Sequence, residues 1–271
     1  MQPPRVSIVV PHFQTEILAR LCLRSIRKHT ASVPYEVIVV DNASKDGASL
    51  QYLRQVEWIR LIERRSGVAS TPGESHKEAL DIGMAASLAP YILSFHTDTI
   101  PLRDDWLTWL LSHMEFHPEV AAVGTYKLEF KSGFRQVLKG LESWFRPRKQ
   151  REEGDHIPYI RSHCALYRRD ALDRLGLHFV DGSAQSAGRS IHFALEAQGY
   201  QAKLISAAET AKRVVHLNHG TMVLVSELGV CRKTARDGTQ RIHEFLDRPT
   251  IREVLADASL DKADPTIRRS A

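Results

Sequence analysis

The chain has 271 residues, 43% of them hydrophobic and 25% charged, with a formal net charge of +5. That is the balance of an ordinary soluble globular protein with ample core, in one large domain or two small ones. No window approaches eighteen consecutive apolar residues, which excludes a membrane-spanning helix.

Met1-Gln2-Pro3-Pro4-Arg5 leads straight into a strand without the apolar core of a secretory leader, and Cys22, Cys164 and Cys231 are widely spaced and odd in number. Both features point to a cytoplasmic protein with reduced thiols. The positive balance suits a polyanionic partner, whether nucleotide phosphates, nucleic acid or anionic lipid headgroups. Residues 6–10 are a continuous apolar run, as in a central parallel strand, and stop at Pro11-His12-Phe13. Ile17, Leu18, Leu21, Cys22, Ser25 and Ile26 then recur at helical spacing, with cations at 27–29 closing the helix. A second buried strand at 35–40 breaks at the polar loop from Asp41 to Gly47. A helix over 48–56 and a strand near 58–62 follow, an alternation that predicts a parallel sheet with right-handed crossovers.

Residues 64–73 read as loop, 74–88 as a helix with Ala79, Ile82 and Ala86 inward, and 91–95 as a buried strand. Asp104 and Asp105 open another helix, and 119–126 form a further strand. Phe134, Val137, Leu138, Leu141, Trp144 and Phe145 fall on one helical stripe among Arg135, Lys139, Arg146, Arg148, Lys149 and Arg151. Beyond it we expect a strand over 162–168, helices at 170–175 and 186–198, and strands near 203–205 and 213–217. From Gly220 to about 246 the pattern is helical, and the charged last twenty residues are expected to be loosely held.

Four polar clusters end strands or open helices: Pro11-His12-Phe13, Asp41-Asn42-Ala43-Ser44, Gly73-Glu74-Ser75-His76 and His96-Thr97-Asp98. In a parallel sheet they converge on one edge, where open α/β sheets bind ligands. An imidazole and a carboxylate two residues apart could hold a divalent metal, and a metal could hold a diphosphate; the plain alternative is a polar strand cap. Neither G-x-G-x-x-G nor G-x-x-x-x-G-K-[ST] occurs, so a nucleotide diphosphate would need a metal or basic side chains.

The blocks VSIVVPHF, LCLRSI, YEVIVVDNASKDG, HKEALDIGMAAS and PYILSFHTDTIPLRDDWL, continued by AAVG, ALYRRDALDRLG, EAQGY and VVHLNHGT, span residues 5–220. In content, order and spacing they resemble the family 2 glycosyltransferases of the GT-A fold. The resemblance implies an α/β fold, a Rossmann-like, mostly parallel sheet flanked by helices. The catalytic domain would be 1–220, with a nucleotide-binding half over about 1–127 and an acceptor half over about 128–220. Residues 221–271 would be a helical C-terminal extension and loose tail. The implied reaction is metal-assisted transfer of a sugar, with inversion, from a nucleotide-diphosphate sugar to a hydroxyl acceptor, lipid-linked or a small molecule.

The resemblance also implies roles. Pro11, His12 and Phe13 border the nucleobase pocket, and Asp41, with Asn42 beside it, meets the base or ribose. Arg65, His76 and Thr97 lie where the nucleotide and its phosphates are met, and Asp81 packs its helix against the sheet. His96-Thr97-Asp98 occupies the metal-binding D-x-D position, so Asp98, with His96 and the late His216, would hold Mn2+ or Mg2+. Two positions depart from the family. His96 replaces an aspartate, which favours Mn2+ over Mg2+, or else makes His96 a hydrogen-bond donor to ribose or phosphate. The family's basic carboxylate is expected ahead of Gly199-Tyr200, where Gly188 and Arg189 stand; Asp181 is the nearest upstream carboxylate, with Glu196 as alternative.

His163 and His178 read as structural or exposed, and Lys77 as either a phosphate contact or a solvated side chain. His216 and His219 have ligand-like spacing but end a strand, so only His216 is taken as a ligand. The 134–151 stripe has two readings besides nucleic-acid binding, for which no recognition motif is present. It either buries its apolar face on the domain or on a second subunit of a homodimer, or lies on the inner face of a membrane. Two rival functions stand beside glycosyl transfer: a binding or scaffold protein that has lost turnover, and a nucleotidyltransferase. The second would usually need a glycine- and basic-rich loop after the first strand, where PHFQT stands.

Overall fold

The computed structural model describes residues 2–45, 47–65, 69, 71–126, 157–183, 185–225 and 232–263. The apolar runs at the front of the chain are strands β1 (Val6–His12), β2 (Tyr35–Asn42) and β3 (Ile59–Arg64), linked by helices α1 (Glu16–His29) and α2 (Ala48–Gln55). Every β1 residue is buried, because helices cover both faces of the strand; this is why its sequence runs apolar rather than alternating. Then come α3 (Pro72–Ala86), β4 (Tyr91–Phe95), β5 (Thr99–Pro101), α4 (Trp106–Ser112) and β6 (Val120–Gly124). The remainder comprises β7 (Cys164–Arg168), α5 (Arg169–Leu175), α6 (Ala187–Ala197), β8 (Gln201–Leu204), α7 (Ala207–Ala211), β9 (Val214–His216), α8 (Gly220–Leu224), α9 (Arg232–Leu246) and α10 (Pro249–Ala256). A 3-10 turn, Ala258–Asp261, closes it.

Seven strands form one sheet in the order β3-β2-β1-β4-β7-β6-β8. Neighbours pair in parallel except at β7, which runs antiparallel to both β4 and β6. The expected mostly parallel α/β sheet is the one observed. Successive β1 side chains go to opposite faces, as strand geometry requires. Ile8 and Val10 join the core with α1, Phe95 and Trp106, while Val9 joins Leu80, Tyr167, Phe179 and Ile191 on the other side. The short strands β5 and β9 make a separate antiparallel pair; β9 falls within the strand expected over 213–217, whereas β5, α7 and α10 had not been expected.

The C-terminal segment departs from expectation. Ile251 and Val254 are buried against α1. Asp261 accepts from Arg24 Nε and from the Tyr52 hydroxyl, both at 2.9 Å, and Trp58 Nε1 donates to the Leu260 carbonyl at 2.7 Å. Residues 252–263 are therefore clasped to the domain and not loose; apolar positions three apart in a short helix suffice once a polar latch follows. The 134–151 stripe lies outside the described residues.

Asp81 also does something other than pack α3 on the sheet. Its two carboxylate oxygens accept from the backbone N–H groups of Phe179 and Val180, at 2.7 and 2.9 Å. It thereby fixes the loop that follows α5.

Candidate active site

After β4 the chain turns through 96–98 and resumes as β5, the Thr99 N–H donating back to the His96 carbonyl at 3.0 Å. Pairing of β5 with β9 sets Thr99 opposite His216. The turn is tied to the next segment twice more: the Leu217 N–H donates to the Asp98 carbonyl, and the Gly220 N–H to Asp98 Oδ2, both at 2.8 Å. Position 220 has to be glycine for this approach, since a Cβ there would lie 2.8 Å from Asp98 Cβ.

The result is a convergence of three side chains. Asp98 Oδ1 lies 3.2 Å from His216 Nε2 and 3.8 Å from His96 Nδ1. One donor atom from each of the three lies within 4.8 Å of the others. Burial opposes ionisation of Asp98, but His216, His96 and the Gly220 N–H outweigh it and hold the carboxyl far below the usual carboxylate range. Thr97 is buried beside them, its Oγ1 3.4 Å from Thr221 Oγ1.

Two more histidines complete the cluster. The antiparallel strand β7 begins beside β4, and the residues just before it are pinned there. Ser94 Oγ donates to the Ser162 carbonyl at 2.6 Å, while the His96 N–H and Thr99 Oγ1 donate to the His163 carbonyl at 3.2 and 3.1 Å. His163 is buried; its ring stacks on His216 at 4.5 Å between centroids, 8° from parallel, and its Nε2 lies 3.0 Å from Thr125 Oγ1. His76, near the N-terminus of α3, sits edge-on to His96 at 4.6 Å. Ser162 Oγ lies 3.2 Å from Nε2 of both His76 and His96. Burial pushes His96 and His163 well below the ordinary histidine value and His76 down to about 4, so all three are neutral near neutrality.

His163 thus belongs to the site, not to the structural or exposed histidines with which it was grouped. Nothing local in Arg161-Ser162-His163-Cys164 signals this, because its neighbours come from residues 96, 125 and 216. His178 and His219 are exposed, and neither belongs to the converging group.

Two imidazole nitrogens and one carboxylate oxygen within 4.8 Å of one another are a donor set that fits a divalent transition metal. His96, Asp98 and His216 are the residues that would hold it.

A second node lies where β1 and β2 end, His12 paired in register with Asp41. Asp41 Oδ1 lies 2.8 Å from His12 Nδ1, both side chains being buried, and the carboxylate also accepts from Ser44 N at 2.9 Å and Ser44 Oγ at 2.5 Å. Those contacts occupy three of its roughly four acceptor positions. Burial opposes ionisation, yet the bonds from His12 and Ser44 hold this carboxyl below its ordinary value. Beside it is a cavity of about 430 Å³ lined by Asp41, Ala43, Ser44, Arg64 and Arg65, among others. Asn42 Oδ1 accepts from Arg64 Nη1 at 2.8 Å, Pro11 is buried and Phe13 is half-buried.

Of the two positions where the resemblance implies a carboxylate, 188 is closed to one sterically. Gly188, in the first turn of α6, packs so closely on residues 160–162 that a Cβ would lie 2.1 Å from the Ile160 carbonyl oxygen. Arg189 lies over the rings of Tyr159 and Phe193 at 5.4 and 5.0 Å. Asp181 lies just ahead of the same helix: it accepts from Ser183 N at 3.0 Å and from Ser183 Oγ at 2.8 Å. Burial opposes its ionisation, but these bonds keep the carboxyl below its ordinary value. Lys77 is buried with Nζ 3.0 Å from Glu74 and 3.8 Å from Asp181, and it donates to the Ser183 carbonyl at 2.7 Å, so it is not a solvated lysine. Glu196 lies instead 3.6 Å from His192, on a cavity lined by His117, Glu119 and Lys203. That cavity gathers at the starts of β6 and β8, away from the histidine cluster, and removes Glu196 as the alternative base.

The model of Glycosyl transferase family 2 matches residues 7–176. Among solved structures the chain is similar to the mannosyltransferase PcManGT from Pyrobaculum calidifontis in complex with GDP-Man and Mn2+. The TM-score is 0.55 at 18% identity, covering 99% of this chain and 79% of that one. It is also similar to S. aureus TarS 1–349, with a TM-score of 0.55 at 15% identity, covering 90% of this chain and 71% of that one. No curated protein matches it. At these identities the two structures speak for the fold, a GT-A fold, while the family match spans most of the chain: this protein belongs to glycosyl transferase family 2.

Proposed function

We propose that this protein transfers a sugar from a nucleotide-diphosphate sugar to a hydroxyl acceptor, with inversion and with the help of a divalent metal, Mn2+ ahead of Mg2+. The observation that carries the reading is the meeting of His96, Asp98 and His216 at the C-terminal edge of the sheet. PcManGT, similar in fold, is described with GDP-Man and Mn2+, which supports the reading by fold alone. The nucleotide would lie along residues 11–13, Asp41, Asn42 and Arg65, with Thr97 and His76 toward its phosphates. A bound divalent ion supplies positive charge where the departing diphosphate gains negative charge. Asp181 is the carboxylate proposed to accept the proton of the acceptor hydroxyl, and Lys77 and Ser183 would keep it ionised and oriented.

Residues 1–220 would be the catalytic domain, the half from 128 onward supplying the acceptor site. Among the described residues no helix is long and apolar enough to cross a membrane. A cytoplasmic enzyme touching the membrane through 134–151, toward a lipid-linked acceptor, remains part of the proposal.

Release of nucleoside diphosphate from a panel of sugar nucleotides, with and without Mn2+, tests the reading. Asp98→Ala should lower turnover by at least about 100-fold, the scale of losing one such charge-stabilising group. Full turnover by this variant would sink the assignment. A second reading, a sugar-nucleotide binder without turnover, draws on Gly188 and Arg189 standing where a base is expected. It requires that the panel yield binding and no metal-dependent release.

A further inference from the structure

His96 presents its two ring nitrogens to different neighbours. Nδ1 faces Asp98, 3.8 Å from Oδ1, and Nε2 faces Ser162 Oγ at 3.2 Å. The same hydroxyl is 3.2 Å from His76 Nε2. A hydroxyl has one proton to donate, and a neutral histidine that ligates through one nitrogen carries its proton on the other. If His96 ligates through Nδ1, its Nε2–H must donate to Ser162 Oγ. The Ser162 proton is then free to go to His76 Nε2, with His76 protonated on Nδ1. This set of tautomers satisfies all three groups.

The hydroxyl is held in place for this. The Ser162 carbonyl accepts from Ser94 Oγ, and Gly188 packs against the backbone of 160–162. His76 is carried on the same helix as Lys77, whose ammonium is buried and tied to Ser183. The other histidine of the centre has a parallel arrangement, His216 being stacked on His163, which Thr125 holds.

We propose that Ser162 and His76 form an outer shell that locks His96 as a nitrogen ligand, making the centre selective for Mn2+, Co2+ or Zn2+ over Mg2+. This rests on the metal site proposed above. Magnesium demands a near-octahedral set of hard oxygens, whereas two imidazoles favour softer ions. Ser162 and His76 are positioning residues: they act through His96.

The test is metal binding by the full chain, free of any turnover assay. Co2+ is titrated and followed by visible absorption, with Mg2+ at equal concentration as competitor and circular dichroism to confirm folding. The unaltered protein should bind Co2+ without displacement by Mg2+. Ser162→Ala and His76→Phe should each weaken Co2+ binding by about 10–100-fold, the usual cost of losing an outer-shell partner, while Ser162→Thr, which keeps the hydroxyl, restores most of it. Undiminished Co2+ affinity in Ser162→Ala, or ready displacement by Mg2+, overturns the proposal. Loss of binding in Asp98→Ala together with undiminished binding in Ser162→Ala refutes the outer shell and leaves the metal site standing. Unchanged binding in both His96→Ala and Asp98→Ala refutes the metal site itself, and the outer shell with it.

Discussion

Replacement of Gly188 by alanine separates steric necessity from helix propensity. In a helix interior, glycine to alanine ordinarily gains about 0.5–1 kcal/mol, because glycine loses more backbone freedom on folding. At 188 the new Cβ would lie 2.1 Å from the Ile160 carbonyl oxygen, 3.1 Å from Ser162 N and 3.2 Å from Arg161 Cα. All three are backbone atoms, so no side chain can swing aside and either α6 or the 160–162 segment must move. Overpacking of this kind costs about 1–3 kcal/mol, and a contact this short belongs at the upper end. Set against the propensity gain, the net loss is about 2 kcal/mol, or a fall in Tm of about 4–8 °C for a domain of this size. Gly73, in the first turn of α3, is the control: nothing lies within 4 Å of its added Cβ. Gly73→Ala should be neutral or stabilising by up to about 1 kcal/mol. Calorimetric melts of both variants beside the unaltered protein decide the matter. A Gly188→Ala protein that melts as high as the Gly73→Ala protein refutes the packing account of why no carboxylate stands there. Because the displaced segment carries Ser162, its Co2+ affinity should fall as well.

Acidity and the C-terminal latch provide two further tests. Burial holds His76 at about 4, against an ordinary value of 6.5, and holds His96 and His163 below that value too. Below pH 6.5 the unfolded chain therefore binds more protons than the folded one. Stability is complete above that pH and falls toward pH 4, each histidine adding a slope of up to about 1.4 kcal/mol per pH unit. Melts of chelator-treated protein between those limits should show Tm declining with acidity; a flat profile contradicts the burial of the cluster. Asp261→Ala leaves the buried Arg24 guanidinium without its carboxylate and should cost about 3–5 kcal/mol in urea unfolding. A loss under about 1 kcal/mol, typical of an exposed pair, would mean that residues 257–261 do not clasp α1.

The strands β1, β2 and β4 were readable because burial on both faces leaves an unbroken apolar run, a signal confined to five or so consecutive residues. Asp98 and His216 were singled out through resemblance, and the structure brings them together, one from the turn after β4 and the other from the end of β9. His163 and Ser162 were not, since the strand they precede enters the sheet antiparallel between β4 and β6, and no local pattern announces strand direction. The latch on Asp261 was missed for a related reason. Its partners Arg24 and Tyr52 are more than two hundred residues away in the chain, and the charged composition around it reads as tail.

By itself, the amino-acid sequence determined the α/β class, the succession of the front strands and helices, and the strand ends that carry polar side chains. These follow from hydrophobic periodicity and from motifs within a dozen residues. Only the tertiary structure decided that Asp41 is already bonded to His12 and Ser44, that Gly188 leaves no room for a carboxylate while Asp181 is held beside Lys77, and that Ser162 joins His76 to His96. Those outcomes depend on which distant segments the sheet order brings within hydrogen-bond reach. Side chains remote in sequence acquire partners only when strands cross over and pack, and no local periodicity encodes that meeting.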